Sequence, residues 1–388
     1  MIVLQIIFWI SVFVVLHSYV IYPLLIKLLC INKKLQFPDN ADNPHISIIM
    51  SLYNEEAVIE QKLLSILNSD YPKDKIQIIV GSDNSTDKTN EIVEKYTNNK
   101  ETEIIFIPFN QRQGKSNVIN QLIEKAKGEI LILTDANVFF APDTISELVK
   151  PFSDKKIGLV DSNMKNTGLK KEGISIQEKT YISQEVKIKH YESILWGTMM
   201  GPFGGCFAIR KKLYSPVPSN FLVDDFYICM KILKKSYKAV NNLDAVVYED
   251  VSNNLADEFR RKIRIATGDF QNLKEFIGLL IPPTTGLAFS FISHKIFRWL
   301  GPVFMITALI MSFILTFESK LYLLLFAIYC FVLFLPVIDY FLKKIKIHNV
   351  FLRFITHFLS MNLALLIGMF KFFKGVKSNV WKPTKRNQ

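Results

Sequence analysis

The sequence predicts an α/β domain on a mostly parallel sheet, held between apolar segments long enough to enter a membrane. Between residues 45 and 137, short β-branched runs alternate with stretches of helical period, the pattern of strands joined by crossover helices. The first four runs end in polar or acidic residues, and open α/β sheets bind ligands at the carboxyl ends of their strands. The chain is 49% hydrophobic, with the excess gathered at its two ends, which is more than a wholly soluble domain carries.

Met1 to Leu29 is nearly free of charge up to Lys27 and exceeds the roughly 20 helical residues that cross about 30 Å of hydrocarbon. It has no basic n-region, and no small-x-small cleavage site precedes Ile31-Asn32-Lys33-Lys34. Residues 1–30 therefore read as a retained transmembrane anchor, not a signal peptide. His45 to Ser51 is the first strand; it ends at Leu52-Tyr53-Asn54-Glu55-Glu56, and Ala57 to Leu67 has the period of an amphipathic helix. After Tyr71-Pro72, a second strand, Ile76 to Gly81, ends at Ser82-Asp83-Asn84-Ser85-Thr86-Asp87, followed by a helix from Lys88 to Tyr96. The third strand, Glu103 to Pro108, leads through Asn110-Gln111-Arg112-Gln113-Gly114-Lys115-Ser116 into a helix from Asn117 to Lys127. Ile130 to Thr134, apolar on both faces and entered from Gly128, reads as a buried parallel strand. It stops at Asp135-Ala136-Asn137.

Beyond Phe152 the alternation fades. Asp161 to Asn166 reads as strand and loop, Ser175 to Leu195 as a long polar helix, and Gly201 to Arg210 as a glycine-rich turn entering a strand. Those glycines permit a ligand to approach the chain's backbone closely; a packing bulge is the competing reading. Val223-Asp224-Asp225-Phe226 opens a helix through Lys235, and a basic helix, Glu258 to Ile265, precedes Gly268-Asp269-Phe270-Gln271. Residues 277–293, broken by Pro282-Pro283, read as an interfacial segment. Residues 296–373 hold C-terminal membrane or interfacial helices: Phe297 to Phe317 and Leu321 to Leu342 are spanning candidates, and Val350 to Phe373 carries Arg353, His357 and Asn362, groups that are expensive in lipid unless they face protein. Residues 374–388 are a basic tail.

The net charge of +12 raises the question of nucleic acid, but much of the excess flanks the apolar segments, as at Lys33-Lys34, Lys343-Lys344-Lys346 and Lys371 through Arg386. Such flanks mark cytoplasmic loops and attract anionic lipid headgroups. They put the central domain on the cytoplasmic side of a multi-pass protein of the plasma (inner) membrane and give no reason to expect a nucleic-acid partner. The same rule draws the tail inside, at odds with a spanning last segment after two firm spans. Cys30, Cys206, Cys229 and Cys330 lack metal-ligand spacing, which argues against a zinc site or disulfide framework.

Asp135 and Asn137, at i and i+2 of a strand-to-loop transition, can share a hard cation such as Mg²⁺ or Mn²⁺ that bridges to phosphate. Capping of the next turn is the competing reading of an isolated D-x-N. A dinucleotide fold is excluded because the first turn has no G-x-G-x-x-G, and no Walker A pattern occurs.

In this order the motifs resemble family 2 glycosyltransferases of the GT-A fold, which include membrane-anchored polysaccharide synthases. The likeness covers roughly residues 45 to 275, the expected cytosolic catalytic domain, and rests on the Tyr53-Asn54-Glu55 turn, Asp83 through Asp87, Gly114-Lys115 with a shifted Asn120, Asp135-Ala136-Asn137, and Asp224-Asp225. It implies a Rossmann-like mixed sheet flanked by transmembrane helices, and a site for a nucleotide sugar. Tyr53, Asn54, Glu55 and Asp83 would belong to that site, with Glu55 and Asp83 on ribose and base. Lys115 would offset negative charge, a solvated helix-start lysine being the competing reading. Asp135 and Asn137 would hold the divalent cation. Asp225 would act as general base in an inverting transfer, and Asp224 would orient it or cap the helix.

The chain departs from the family pattern in three places. Ser82 and Asn84 replace an Asp and a Gly, Asn137 replaces the second acid of Asp-x-Asp, and Arg261-Lys262-Ile263-Arg264-Ile265 stands where processive synthases carry Gln-x-x-Arg-Trp. Arg261 and Arg264 are candidates for the diphosphate, while isoleucine cannot offer a sugar ring the face that tryptophan does. The resemblance implies an inverting, metal-dependent glycosyltransferase moving a sugar from a nucleotide sugar, with UDP the expected carrier, to a lipid-linked or growing glycan acceptor in cell-surface polysaccharide synthesis. A processive synthase that extrudes its polymer, export or assembly partner proteins, and an inactive scaffold that keeps the fold remain open alternatives.

Overall fold

Four β-branched runs paired in parallel form the frame. In the computed structural model, which describes residues 1–37, 43–169, 173–250 and 252–376, α1 (Ile2–Leu16) passes through a π turn into α2 (Tyr22–Leu29). The chain continues through β1 (Ile46–Leu52), α3 (Ile59–Leu67), β2 (Ile76–Asp83), α4 (Thr89–Glu94), β3 (Glu103–Phe109), α5 (Lys115–Lys125) and β4 (Ile130–Thr134). β1 pairs in parallel with β2 and with β4, and β2 with β3. Alternate residues enter opposite layers, as the two-residue period of a strand requires. Ile46, Ile48 and Met50 pack with Leu63 and Ile66 of α3, whereas Ile49 and Ile79 pack with Val118 and Leu122 of α5. Each such side chain, fully buried, contributes about 1.5–3 kcal/mol. Gly128 is needed where β4 begins, because a Cβ there would lie 2.4 Å from Ser47 N.

The second half adds β5 (Val138–Phe140), α6 (Thr144–Val149), β6 (Ile157–Thr167), α7 (Ser175–Trp196), β7 (Cys206–Arg210), α8 (Asp224–Lys234), β8 (Lys238–Asp250) and α9 (Leu255–Phe276). The sheet order is β3-β2-β1-β4-β7-β6-β8-β5. β7 runs antiparallel to both β4 and β6, so the sheet is mixed, with its parallel part confined to the first four strands and the β6–β8 pair. β8 and β5 are not foreseen from the sequence. Asn241-Asn242-Leu243-Asp244 breaks the apolar alternation of β8, yet both asparagine amide nitrogens find carbonyl acceptors across the fold: Asn241 Nδ2 donates to Ser162 O at 2.9 Å, and Asn242 Nδ2 to Glu147 O at 2.8 Å. The stretch bulges from β8: its register with β6 jumps from Asp161 opposite Asn241 to Asn163 opposite Val246.

Beyond α9 lie α10 (Gly286–Ser290), a π turn, α11 (Phe297–Trp299), α12 (Gly301–Leu315), α13 (Lys320–Lys344) and α14 (Val350–Phe373). Among the described residues Ile2–Leu29, Lys320–Lys344 and Val350–Phe373 are long and apolar enough to cross a membrane. The span expected over Phe297 to Phe317 is instead broken, with Gly286–Trp299 and Gly301–Leu315 meeting at 61°. The first arm carries Lys295 and Arg298, which are ion-paired to Glu185 of α7, and His294, whose Nε2 lies 3.1 Å from the same carboxylate. The polarity of α7 therefore faces inward. The polar residues of α14 also face protein: Arg353 lies 2.9 Å from Asp339 of α13, His357 Nε2 lies 2.7 Å from Glu178 of α7, and Asn362 Nδ2 donates to Phe358 O at 3.0 Å. Of the basic tail, residues 377–388 lie outside the described residues.

Candidate active site

The carboxyl ends of β1, β2 and β4, the loop after β3, and the starts of α5 and α8 open onto one cavity of about 410 Å³. Tyr53, Asn54, Glu55, Asp83, Lys115, Asp135, Asn137, Asp224, Asp225, Arg261 and Arg264 all line it. These eleven residues reach the same space from segments up to 211 residues apart in the chain (53 to 264).

The first two loops brace each other. Asn54 adopts φ 54°, a left-handed conformation that asparagine tolerates better than most residues. Its Oδ1 accepts from Thr86 N at 2.8 Å, and Asp87 Oδ2 accepts in return from Glu56 N at 3.1 Å. Asn84, which replaces the family glycine, has φ 59°, so the substitution keeps the required turn. Asp83 accepts from Gln113 N at 2.6 Å and from Gly114 N at 3.0 Å. Its carboxylate thereby shapes the loop that follows β3. Arg112 from that loop lies over the Tyr53 ring, 3.4 Å from its centroid, with Nε 3.7 Å from Asp83. The Tyr53 ring and guanidinium form one wall. Asn120, by contrast, is structural: its side chain holds Val217 and Tyr214.

At β4, the Lys115 ammonium lies 2.7 Å from Asp135 Oδ1. Burial opposes the charge of Lys115, but Asp135 and Asp224 outweigh it and raise its pKa above the ordinary lysine value. Asn137 Nδ2 donates to Glu249 Oε1 at 3.1 Å. Beneath this turn, fully buried Lys62 donates to Thr134 Oγ1 at 2.9 Å and to Val138 O. Thr134 Oγ1 in turn contacts Gly205 O at 2.9 Å, so a single buried amine ties the D-x-N turn to the glycine loop. The donor set offered by Asp135, Asn137 and Glu249 is all oxygen, which suits a hard divalent cation. Among the described residues no group of three or more His, Cys, Asp or Glu side chains is placed to hold an ion, so a cation here would need further oxygens from outside the chain.

Asp224 and Asp225 occupy the first turn of α8, where the helix dipole favours negative charge. Val223, not Asp224, is the N-cap residue. Asp225 Oδ1 accepts from its own neighbour Phe226 N at 2.7 Å. Burial, reinforced by Asp224, pushes the Asp225 carboxyl up to about 7, the range in which a carboxylate can act as a general base near neutral pH. A Cβ at Gly204 would meet Asp225 Oδ2 at 2.6 Å; the glycine loop thus makes room for this carboxylate. Across the cavity, α9 presents Arg261, Arg264 and Ile265. Arg261 Nη1 lies 3.3 Å from Glu258, the chief cause of its raised pKa. Burial and the Arg261 charge lower that of Arg264.

Arg112 and Glu249 were not singled out in the sequence. Arg112 lies in the loop after the third strand, and its position at a carboxyl end was the available signal. Glu249 ends β8, the strand whose pattern is interrupted.

Two family sequence models match: glycosyl transferase family 2 over residues 47–217, and glycosyl transferase family group 2 over residues 178–342. A probable glycosyltransferase of Bacillus subtilis (strain 168), YdaM, is 35% identical over 96 residues, 24% of this chain and 23% of that protein. The poly-beta-1,6-N-acetyl-D-glucosamine synthase of Staphylococcus aureus (strain COL) is 26% identical over 260 residues, 63% of this chain and 58% of the synthase. The matches thus cover less than two thirds of either relative's length. Mannosyltransferase PcManGT from Pyrobaculum calidifontis, solved with GDP-Man and Mn²⁺, aligns with a TM-score of 0.73 at 21% identity, over 95% of this chain and 99% of that one. This likeness shows a shared GT-A-like fold. The two family models, which together run from residue 47 to residue 342, make this chain a member of glycosyl transferase family 2.

Proposed function

We propose that this glycosyltransferase moves a sugar from a nucleotide sugar, with UDP as the carrier, to a hydroxyl of a lipid-linked or growing glycan acceptor, inverting the anomeric carbon. The observation that carries this reading is the convergence of Glu55, Asp83, Asp135 and Asp225 on one cavity. Glu55 and Asp83 are the acceptors for ribose and base donors, beside the Tyr53–Arg112 wall. A divalent cation, held by Asp135 and Asn137, would neutralise the diphosphate leaving group. Lys115, Arg261 and Arg264 lend positive charge to the same cavity. Asp225 takes the proton of the acceptor hydroxyl as its oxygen bonds to the anomeric carbon; the bond from that carbon to the diphosphate oxygen breaks, and the nucleoside diphosphate leaves.

The spanning-length helices support a multi-pass membrane protein with the catalytic domain on the cytoplasmic side. Polysaccharide synthesis is the wider role that the Staphylococcus relative suggests. Ile265 lines the cavity where a processive synthase would set tryptophan, which favours transfer of one or a few sugars over continuous extrusion. A panel of nucleotide sugars tests the donor: UDP-sugars should raise the thermal midpoint of the detergent-solubilised protein in the presence of Mn²⁺ or Mg²⁺. Absence of stabilisation by every nucleotide sugar would contradict the reading.

A further inference from the structure

We propose that Glu249 is the second carboxylate of the cation site, supplying from a neighbouring strand the negative charge that Asn137 lacks. The inference rests on the reading of the cavity as a nucleotide-sugar site. An Asp-x-Asp turn carries two carboxylates; Asp135-Ala136-Asn137 carries one, and Lys115 already stands 2.7 Å from it. Asp224 and Asp225 line the same cavity but belong to α8, so the turn itself offers a divalent cation one carboxylate, already engaged by Lys115. Affinity for a hard cation follows the number and charge of its oxygen ligands, so the site needs another acid.

The fold delivers one. β5 and β8 pair antiparallel with Val138 opposite Glu249, which sets the end of β8 beside the turn. Glu249 lines the same cavity as Asp135, and its Oε1 accepts from Asn137 Nδ2 at 3.1 Å. That bond fixes the amide: its nitrogen, which cannot ligate a cation, is turned to Glu249, leaving the oxygen as its ligating end. Glu249 therefore acts in two ways, orienting Asn137 and adding charge.

The two roles separate experimentally, because Glu249→Gln keeps an acceptor oxygen for Asn137 and removes only the charge. The readout is Mn²⁺ binding to the full-length protein in detergent with UDP present, followed by the electron paramagnetic resonance of free Mn²⁺. Glu249→Gln should weaken binding about tenfold or more. Adding Asn137→Asp to that variant should restore most of the loss, since the missing carboxylate returns two residues from Asp135. Glu249→Asp, which keeps the charge, should remain closer to the wild type than Glu249→Gln and covers the case in which the glutamine variant does not fold. A Glu249→Gln protein that binds Mn²⁺ like the wild type, or a double variant no tighter than Glu249→Gln alone, overturns the proposal while leaving the nucleotide-sugar reading intact. A wild-type protein that binds neither UDP nor Mn²⁺ overturns both.

Discussion

Lys115 Nζ lies 2.7 Å from Asp135 Oδ1, so the first residue of α5 is paired with the acid that ends β4. This contact links the positive charge proposed for the diphosphate to the carboxylate proposed for the cation. Lys115→Met should weaken UDP binding, because hydrogen bonds to charged groups contribute about 1.5–3 kcal/mol, or about 10- to 100-fold in affinity. Titration calorimetry with UDP and Mn²⁺ measures it; unchanged affinity would assign Lys115 to the solvated helix start instead.

Asp225 gives a pH-dependent stability. Burial and Asp224 raise its carboxyl from 3.8 to about 7 in the folded protein, so between those values the folded state binds a proton that the unfolded state has lost. The associated stability is complete below about pH 4 and is lost as pH rises through about 7. Asp225→Asn should therefore unfold at a higher temperature than the wild type at pH 8, with the difference shrinking towards pH 4. Thermal melts across that range check the sign, and a less stable variant at pH 8 would contradict it.

The bearing of the C-terminal helices on the site is open to a similar test. A Cβ at Gly368 of α14 would meet Ala266 Cβ at 2.4 Å and Ile263 O at 2.9 Å, so α14 sits directly against the helix that carries Arg261 and Arg264. Gly368→Leu should push α9 aside and raise the donor KM about tenfold, since displacing binding groups by about 1 Å can cost as much as 100-fold. Leu363→Ala, on the exposed side of the same helix, should leave KM within about twofold. Equal behaviour of the two variants would sever the link.

Much of this site was legible because its residues sit where periodic patterns stop. Asp135 ends an apolar run, Asp83 and Glu55 follow β-branched strands, and Asp225 opens a helix, so their placement follows from strand ends alone. The asparagines at 54 and 84, the second of them a departure from the family glycine, become intelligible only with their backbone, since both hold left-handed turns. Glu249 was hidden because Asn241 and Asn242 break the strand that carries it, and their partners Ser162 and Glu147 are distant in sequence. For the same reason Arg353 and His357 looked costly in a membrane segment. Their partners Asp339 and Glu178 lie on other helices, and no periodicity announces a contact between them.

The most direct test of the account is turnover of a UDP-sugar by the full-length protein in detergent with Mn²⁺, comparing wild type with Asp225→Asn. Loss of a general base typically costs about 10²–10⁴ in rate, and Asp225 is assigned no role in holding the nucleotide. The wild type should release UDP, and the variant should lose at least about 100-fold in rate, with UDP affinity unchanged. An Asp225→Asn enzyme that turns over at the wild-type rate would contradict it.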